Sequence, residues 1–357
     1  MNKKKILYFV EAFGGGVFTY ISNLANTLCK DFDIYVAYGV RKQTPSNFEK
    51  YFDKRIHLIP IKNYQREVSF IKDLAALKEM KKVTSEVQPD IIHLNSSKAG
   101  ILGRWLYRNS SIPTFYTPHG YSFLMTDISK KKKHFYKSLE KFFAFKNIKT
   151  IACSKSEYKI TKLLTSNCTY VDNGINLNEF KGLISKKVNY NFPIIVTLGR
   201  ISVQKNPALF NSIAKLFPDL KFIWIGDGEL KTKLTAPNIE ITGWIDSKEA
   251  LKYLNKGDVF LLTSLWEGLP MALLEAMYLR KICLVSDVVG NKDVIKNAQN
   301  GFVCSNEEDF RIRIREIREG KVNSNLTKNA KLDILNCYNS NIMAKKYKKI
   351  YLSTFNR

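Results

Sequence analysis

Apolar positions in this chain fall in short runs separated by longer amphipathic stretches, and the alternation continues along most of its length. Runs of three to five apolar or β-branched residues predict strands at 6–10, 33–37, 57–61, 91–94, 114–117, 150–152 and 169–171. After a polar break they resume at 194–198, 222–225, 239–241, 259–262, 282–285 and 301–303. Helical periodicity fills the intervals, as at 18–28, 70–83 and 100–107. Strands alternating with helices predict parallel sheets covered on both faces. Two such sets predict an α/β protein of two doubly wound domains, 1–180 and 181–340, joined through the polar stretch 181–193. A basic amphipathic helix at 341–354 closes the chain, and segment 341–357 is expected to join the first domain. In such sheets ligands sit beyond the strand C-termini, so the active site is expected in a cleft between the domains.

At 357 residues and 45% hydrophobic content the chain can bury two cores of ordinary size, which argues against disorder. No apolar stretch reaches the length of a membrane span. The start, Met1-Asn2-Lys3-Lys4-Lys5 followed by 6–10, mimics a signal peptide, but the run is short and Glu11 interrupts it, so a first buried strand is expected. The six cysteines are scattered, with no CxxC spacing and no histidine at ligand distance, which fits reduced thiols in the cytosol.

A net charge of +25 calls for an anionic partner: nucleic acid, an anionic membrane or a phosphorylated substrate. The excess leans toward the first half and is mostly lysine. There is no RNP-like aromatic motif, zinc-finger spacing or arginine-rich arm, so no nucleic-acid partner is expected. A lysine-rich genome composition would also raise the charge.

The richest segment is Ser264-Leu265-Trp266-Glu267-Gly268-Leu269-Pro270-Met271-Ala272-Leu273-Leu274-Glu275, which reads as strand, loop and helix start after the run 259–262. Glu267 falls on the loop and Glu275 inside the helix. Free backbone N–H groups at the helix start favour an anion, while the two carboxylates could hold hydroxyls. Two glutamates eight apart also occur as ordinary helix and loop residues. Phe13-Gly14-Gly15-Gly16 follows the first strand and precedes a helix. It could bring backbone against a phosphate, or simply form a tight strand-to-helix turn, and it lacks the third glycine of a dinucleotide fingerprint. Thr117-Pro118-His119-Gly120-Tyr121 places a histidine on a constrained loop, where it could bond a sugar hydroxyl. Gly199-Arg200-Ile201-Ser202-Val203-Gln204-Lys205 follows a strand; Arg200 and Lys205 could neutralise a diphosphate, or salt-bridge at the surface. The turns at Gly226-Asp227-Gly228 and Thr242-Gly243-Trp244 could shape a nucleotide pocket. In 129–149, Lys130, Lys131, Lys132 and Lys133 precede Phe135, Leu139, Phe142 and Phe143, which share a helical face. Such a helix could lie on an anionic membrane or pack between elements with a solvated edge.

Together these residues resemble the retaining GT-B glycosyltransferases of family 4, the glycogen-synthase-like group. The resemblance spans nearly the whole chain. Its most specific element is the E-x7-E pair Glu267 and Glu275; Gly199, Arg200 and Lys205, the Gly-Asp-Gly turn and the Gly-rich loop stand in the family's order. His93-Leu94-Asn95-Ser96-Ser97-Lys98-Ala99-Gly100 and Tyr116-Thr117-Pro118-His119-Gly120-Tyr121 look like the bacterial branch that builds O-antigen or capsule units. The resemblance implies two Rossmann-like domains facing across a cleft, the first for the acceptor and the second for a nucleotide-sugar. It implies that Glu275 holds the ribose, and that Glu267 contacts the donor sugar near its 3- and 4-hydroxyls. Arg200 and Lys205 would bind the diphosphate. Gly15 and Gly16 would pack against phosphate and sugar, and His119 would contact the transferred sugar. Gly228 and Gly243 would belong to the donor pocket, as would Gly268, Leu269 and Pro270. Asn206 stands where many relatives have glycine, with little consequence expected.

The expected function is transfer of a hexose, with retention, from a UDP-linked donor onto a polyprenyl-diphosphate-linked glycan. No metal or other cofactor is expected, cation side chains and a helix end doing the work of a divalent ion. Domain closure would exclude water from the donor. The expected place is cytoplasmic, peripheral on the inner face of the cell membrane, with Lys130–Lys133 and Phe135 toward the lipid. The alternatives are a related enzyme with a soluble acceptor, a non-catalytic partner subunit, and a basic nucleic-acid-binding protein.

Overall fold

A computed structural model describes residues 3–41, 43–65, 69–183, 189–323 and 325–355. Met1, Asn2 and part of the expected linker, 184–188, lie outside the described residues. The chain divides into two compact units, one of residues 1–124, 128–174 and 340–357, the other of 125–127 and 175–339. The passage between them therefore falls at Gly174 and Ile175, ahead of the expected 180/181.

The first unit opens with β1 (Lys5–Phe13), α1 (Gly15–Leu28), β2 (Asp33–Val40), β3 (His57–Pro60) and α2 (Phe70–Val87). It continues through β4 (Ile91–Asn95), α3 (Ser97–Leu106), β5 (Thr114–Thr117), α4 (Lys130–Phe142), β6 (Ile148–Ala152), α5 (Lys155–Thr161) and β7 (Cys168–Tyr170). The sheet is parallel in the order β3-β2-β1-β4-β5-β6-β7. Along β1, Ile6, Tyr8 and Val10 enter one core while Leu7 and Phe9 enter another on the opposite face. A strand buried on both sides has no polar face to show, which is why it reads as a continuous apolar run. β1 runs on past Val10: Glu11 is buried within the strand and pairs with Arg41.

The second unit contains β8 (Ile195–Leu198), α6 (Pro207–Leu216), β9 (Phe222–Ile225), β10 (Ile239–Ile241), α7 (Ser247–Lys256) and β11 (Val259–Leu262). Then come α8 (Met271–Tyr278), β12 (Ile282–Ser286), α9 (Asn291–Val294), β13 (Phe302–Cys304), α10 (Glu307–Arg318) and α11 (Leu326–Cys337). Its parallel sheet runs β10-β9-β8-β11-β12-β13. The chain then returns to the first unit as α12 (Ser340–Leu352). Met343, Ala344, Tyr347 and Tyr351 of α12 are buried in the core that also holds α1. Tyr20 Oη donates to Tyr347 Oη at 2.6 Å, and Tyr351 Oη lies 2.6 Å from His93 Nδ1. These bonds satisfy phenol and imidazole groups that burial would otherwise leave costly.

In each sheet the strand order reverses beside the first strand, between β1 and β4 and again between β8 and β11. Loops leaving the C-terminal ends of those neighbours diverge to opposite faces, which opens a crevice for ligands. No described helix is long and apolar enough to cross a membrane.

Candidate active site

In the second unit the loops after β8 and β11 are laced together. Leu265 N–H donates to Gln204 O at 2.8 Å, Gln204 Nε2 to Trp266 O at 3.0 Å, and Thr263 Oγ1 to Lys205 O at 2.8 Å. This brings Lys205 and Glu267, far apart in sequence, to 2.6 Å between Nζ and Oε1. Both side chains are largely buried, at 15% and 7% exposure. Ser264 Oγ donates to the same oxygen at 2.7 Å, while among the described residues Oε2 has only a long contact of 3.4 Å from Gln204 Nε2. One oxygen of Glu267 is thus committed to holding the carboxylate, and the other retains capacity to accept hydroxyls. The Lys205 stem lies over Gly199, whose φ of +148° requires glycine and where a Cβ would stand 3.1 Å from Lys205 Cε. Arg200 follows, half-buried on the same loop.

Glu275 lies on α8, which begins after Pro270 as N-cap. It is 8% exposed, and burial, assisted by the charge of Glu179, pushes its pKa up to about 8. A carboxyl buried in this way is costly unless a ligand completes it. The first amides of α8 have no partner within the helix, so they can meet an anion beside the Gly268 loop. That loop is backed by Gly290, where a Cβ would sit 2.4 Å from Gly268 O. Leu269 is buried.

The two remaining glycines of the expected donor pocket differ. At Gly228 a Cβ would strike Ile201 O at 2.2 Å, so the protein itself requires glycine there. Gly243 adopts φ +71° with room around it, the nearest atom to a Cβ being Asp227 Oδ2 at 3.8 Å. Asn206, at φ +50°, caps α6 in the left-handed conformation that asparagine tolerates best after glycine, so its place in a position of glycine has a backbone reason.

In the first unit the corresponding crevice is formed by Gly14–Gly16 after β1, Asn95 and Ser96 at the end of β4, and Pro118–Gly120 after β5. Gly15, at φ +54°, and Gly16 open α1, and a Cβ on either would meet nothing within 4 Å. The space above them is open to a ligand. His119 stands at φ +57°, its ring edge-on to Tyr20 at 4.4 Å. Asn95 Nδ2 donates to His93 O at 3.1 Å, which turns Oδ1 to accept from His119 Nε2–H at 3.0 Å. That bond assigns the proton to Nε2 and leaves Nδ1 as an acceptor. Burial pushes the His119 pKa down to about 3, so the ring is neutral at working pH. Glu157 Oε1 accepts from Gly120 N–H at 2.7 Å and fixes the loop. Asn95, Glu157, Ser264, Gln204 and Gly290 were not singled out by sequence. Asn95, Ser264 and Gln204 lie inside the segments 93–100, 264–275 and 199–205, a signal that could have found them, whereas Glu157 and Gly290 act on loops distant in sequence.

On α4, Ser129 Oγ caps the helix by accepting from Lys132 N–H, and Lys130, Lys131 and Lys132 are exposed with Lys133 half-buried. The expected single aromatic face divides. Phe135 and Phe142 are exposed, at 58% and 67%, whereas Leu139 and Phe143 are half-buried, with Phe143 edge-on to Trp105. Among the described residues no cluster of three or more His, Cys, Asp or Glu is placed to hold a metal ion.

Residues 14–179 match Glycosyltransferase Family 4, and residues 183–333 match Glycosyl transferases group 1. The chain is 32% identical over 333 residues, 85% of each chain, to the UDP-Gal:alpha-D-GlcNAc-diphosphoundecaprenol alpha-1,3-galactosyltransferase of Escherichia coli. It is 29% identical over 202 residues, 52% of this chain and 54% of the other, to the N,N'-diacetylbacillosaminyl-diphospho-undecaprenol alpha-1,3-N-acetylgalactosaminyltransferase of Campylobacter jejuni. Among solved structures, sucrose-phosphate synthase from Thermosynechococcus elongatus superposes with a TM-score of 0.86 over 99% of this chain and 100% of its own, at 16% identity. The Anabaena protein HepE, solved with UDP and glucose, gives 0.79 over 98% and 100%, also at 16% identity. With two Rossmann-like parallel-sheet units and these matches, the chain belongs to the family 4 glycosyltransferases of GT-B fold.

Proposed function

We propose that the protein transfers a hexose from a UDP-sugar, with retention of anomeric configuration, onto a polyprenyl-diphosphate-linked glycan in surface-polysaccharide synthesis. The carrying observation is the Lys205–Glu267 pair at the crevice of the second sheet, with Glu275 on the following helix. The Escherichia coli relative, named for UDP-galactose and a diphosphoundecaprenol acceptor, supports the donor and acceptor classes. Galactose is the first sugar to try.

Breaking the anomeric bond builds positive charge on the sugar and negative charge on the departing diphosphate. Lys205, Arg200 and the first amides of α8 supply the opposing charge without a divalent ion, and preorganised charge of this kind is commonly the largest contribution to the rate. Glu267 Oε2 would accept sugar hydroxyls and Glu275 the ribose hydroxyls. His119 Nδ1 would accept one further hydroxyl of the transferred sugar, and Gly15 and Gly16 would lie against phosphate and sugar. Gly228, Gly243, Gly268 and Leu269 would line the nucleotide and sugar pockets. In same-face attack the bond from C1 to the diphosphate oxygen breaks as the acceptor oxygen bonds C1. The acceptor proton passes to the leaving phosphate.

The first unit would work at the cytoplasmic face of the membrane. Lys130–Lys133 and Phe135 support contact with anionic lipid, as do Phe70 and Ile71, 79% and 80% exposed at the start of α2. The test is incubation with UDP-galactose, a synthetic GlcNAc-diphospho-lipid and EDTA. An α-linked disaccharide lipid formed at an undiminished rate supports the proposal. No transfer from any UDP-sugar to any diphospho-lipid sinks it.

A further inference from the structure

We propose that α4 carries the binding site for the diphosphate of the lipid-linked acceptor, so that part of the lysine run grips one ligand instead of lying evenly against a membrane. This deepens, and rests on, the lipid-diphosphate acceptor proposed above. Lys130, Lys133, His134 and Lys137 recur at helical spacing and line an open hollow of about 260 Å³, with Phe123 as its other wall. Lys131 and Lys132 do not line it. The hollow is smaller than the roughly 300–1,000 Å³ of pockets for drug-sized ligands, which suits a diphosphate headgroup better than a whole nucleotide-sugar.

The helix is electrostatically frustrated without a ligand. Its lysines crowd the N-terminal end, where the helix dipole already repels cations, and Lys133 and Lys137 are an i,i+4 pair of like charge. The one acid of α4, Glu140, is buried and committed elsewhere: Arg104 Nη2 donates to Oε2 at 2.7 Å and Tyr116 Oη to Oε1 at 3.1 Å. Among the described residues none of the four basic side chains has an acidic partner. A bound diphosphate would reverse that repulsion.

The apolar wall is rigid and points to the rest of the ligand. Phe123 stacks on Tyr121 at 4.9 Å, and Tyr121, itself buried, bonds Thr161 at 2.9 Å. A hollow lined by basic side chains with one aromatic wall fits a diphosphate joined to an isoprenyl chain, the first carbons lying along Phe123. Arg104 and Glu140 anchor α4 from behind, so the basic face is held in place while almost nothing else on the helix is buried.

The test titrates farnesyl diphosphate, UDP and phosphatidylglycerol vesicles into the wild-type protein and two charge-matched variants, Lys133→Gln/Lys137→Gln in the hollow and Lys131→Gln/Lys132→Gln outside it. Expected is a loss on the order of tenfold or more in farnesyl diphosphate affinity for the first variant only, with UDP binding unchanged in both. Equal losses in the two variants, or none in the first, overturn the site, as does failure of farnesyl diphosphate to bind the wild type. If the first variant loses vesicle binding in the same proportion, the hollow is a headgroup surface and the acceptor assignment is wrong. Absence of UDP binding to the wild type would instead strike the transferase proposal itself.

Discussion

Lys205 and Glu267 are joined at 2.6 Å between loops that follow adjacent strands of the second sheet, and Ser264 donates to the same carboxylate oxygen. The pair holds a cation at the crevice while leaving Glu267 Oε2 available. Removing Lys205 withdraws charge from the leaving group and frees Glu267 to move. Lys205→Ala should therefore lower kcat by about 10²–10³, comparable to loss of one oxyanion donor. Combining it with Glu267→Gln should cost less than the sum, since the residues act together. Steady-state kinetics of the two single variants and the double variant check this.

Glu275 gives a pH dependence with a defined sign. Its folded pKa of about 8 lies above the ordinary 4.5, so between those values the folded state holds a proton that the unfolded state has lost. Stability should fall as pH rises through that window, at up to about 1.4 kcal/mol per unit from this group. Ribose hydroxyls favour the carboxylate, so UDP affinity should rise toward pH 8 as the proton is more easily released. Glu275→Gln should flatten the stability decline while weakening UDP. Denaturant midpoints and UDP titrations at pH 6, 7 and 8 would show both effects.

His119 runs the other way. Its folded pKa of about 3 lies below the ordinary 6.5, so in that interval only the unfolded state gains a proton and stability is lost as pH falls. Nitrogen chemical shifts should report a neutral ring protonated on Nε2 at pH 5. Asn95→Ala should disturb that tautomer and lower kcat with little change in UDP affinity. His119→Asn, which tolerates the left-handed backbone, should remove part of the acid-side loss.

The glycines separate structural need from ligand space. Gly290→Ala combines φ +89° with a 2.4 Å approach to Gly268 O and should destabilise the second unit by about 1–3 kcal/mol. Gly16→Ala meets open space on a helix and should leave the melting temperature level or raised, while activity falls because the methyl occupies donor space. Thermal melts read beside rates distinguish the two classes.

The strands were legible because residues such as Ile6–Val10 and Val259–Leu262 are buried on both faces and so carry no polar interruption. Glu11 marks the limit of that signal: a buried, ion-paired acid inside β1 read as the strand's end. At the site, Glu267 and Lys205 were visible as residue types on loops after strands, and Glu275 as a carboxylate inside the following helix. Their arrangement was not, because it depends on bonds such as Leu265 to Gln204 that span distant loops. On α4, periodicity placed Phe135 and Phe143 together, yet tertiary packing drew Phe143 under Trp105 and left Phe135 outside. Helical spacing fixes which residues are neighbours, not which side of the helix the rest of the fold covers.

The most direct test of the central claim is a titration of UDP, GDP and dTDP into the wild type and Glu275→Ala, followed by melting. At a hundred times its dissociation constant, bound UDP should stabilise the wild type by about 2.7 kcal/mol, and Glu275→Ala should lose that gain. No stabilisation by any of the three nucleotides, or an undiminished UDP effect in Glu275→Ala, would contradict the placement of the donor on β8, β11 and α8.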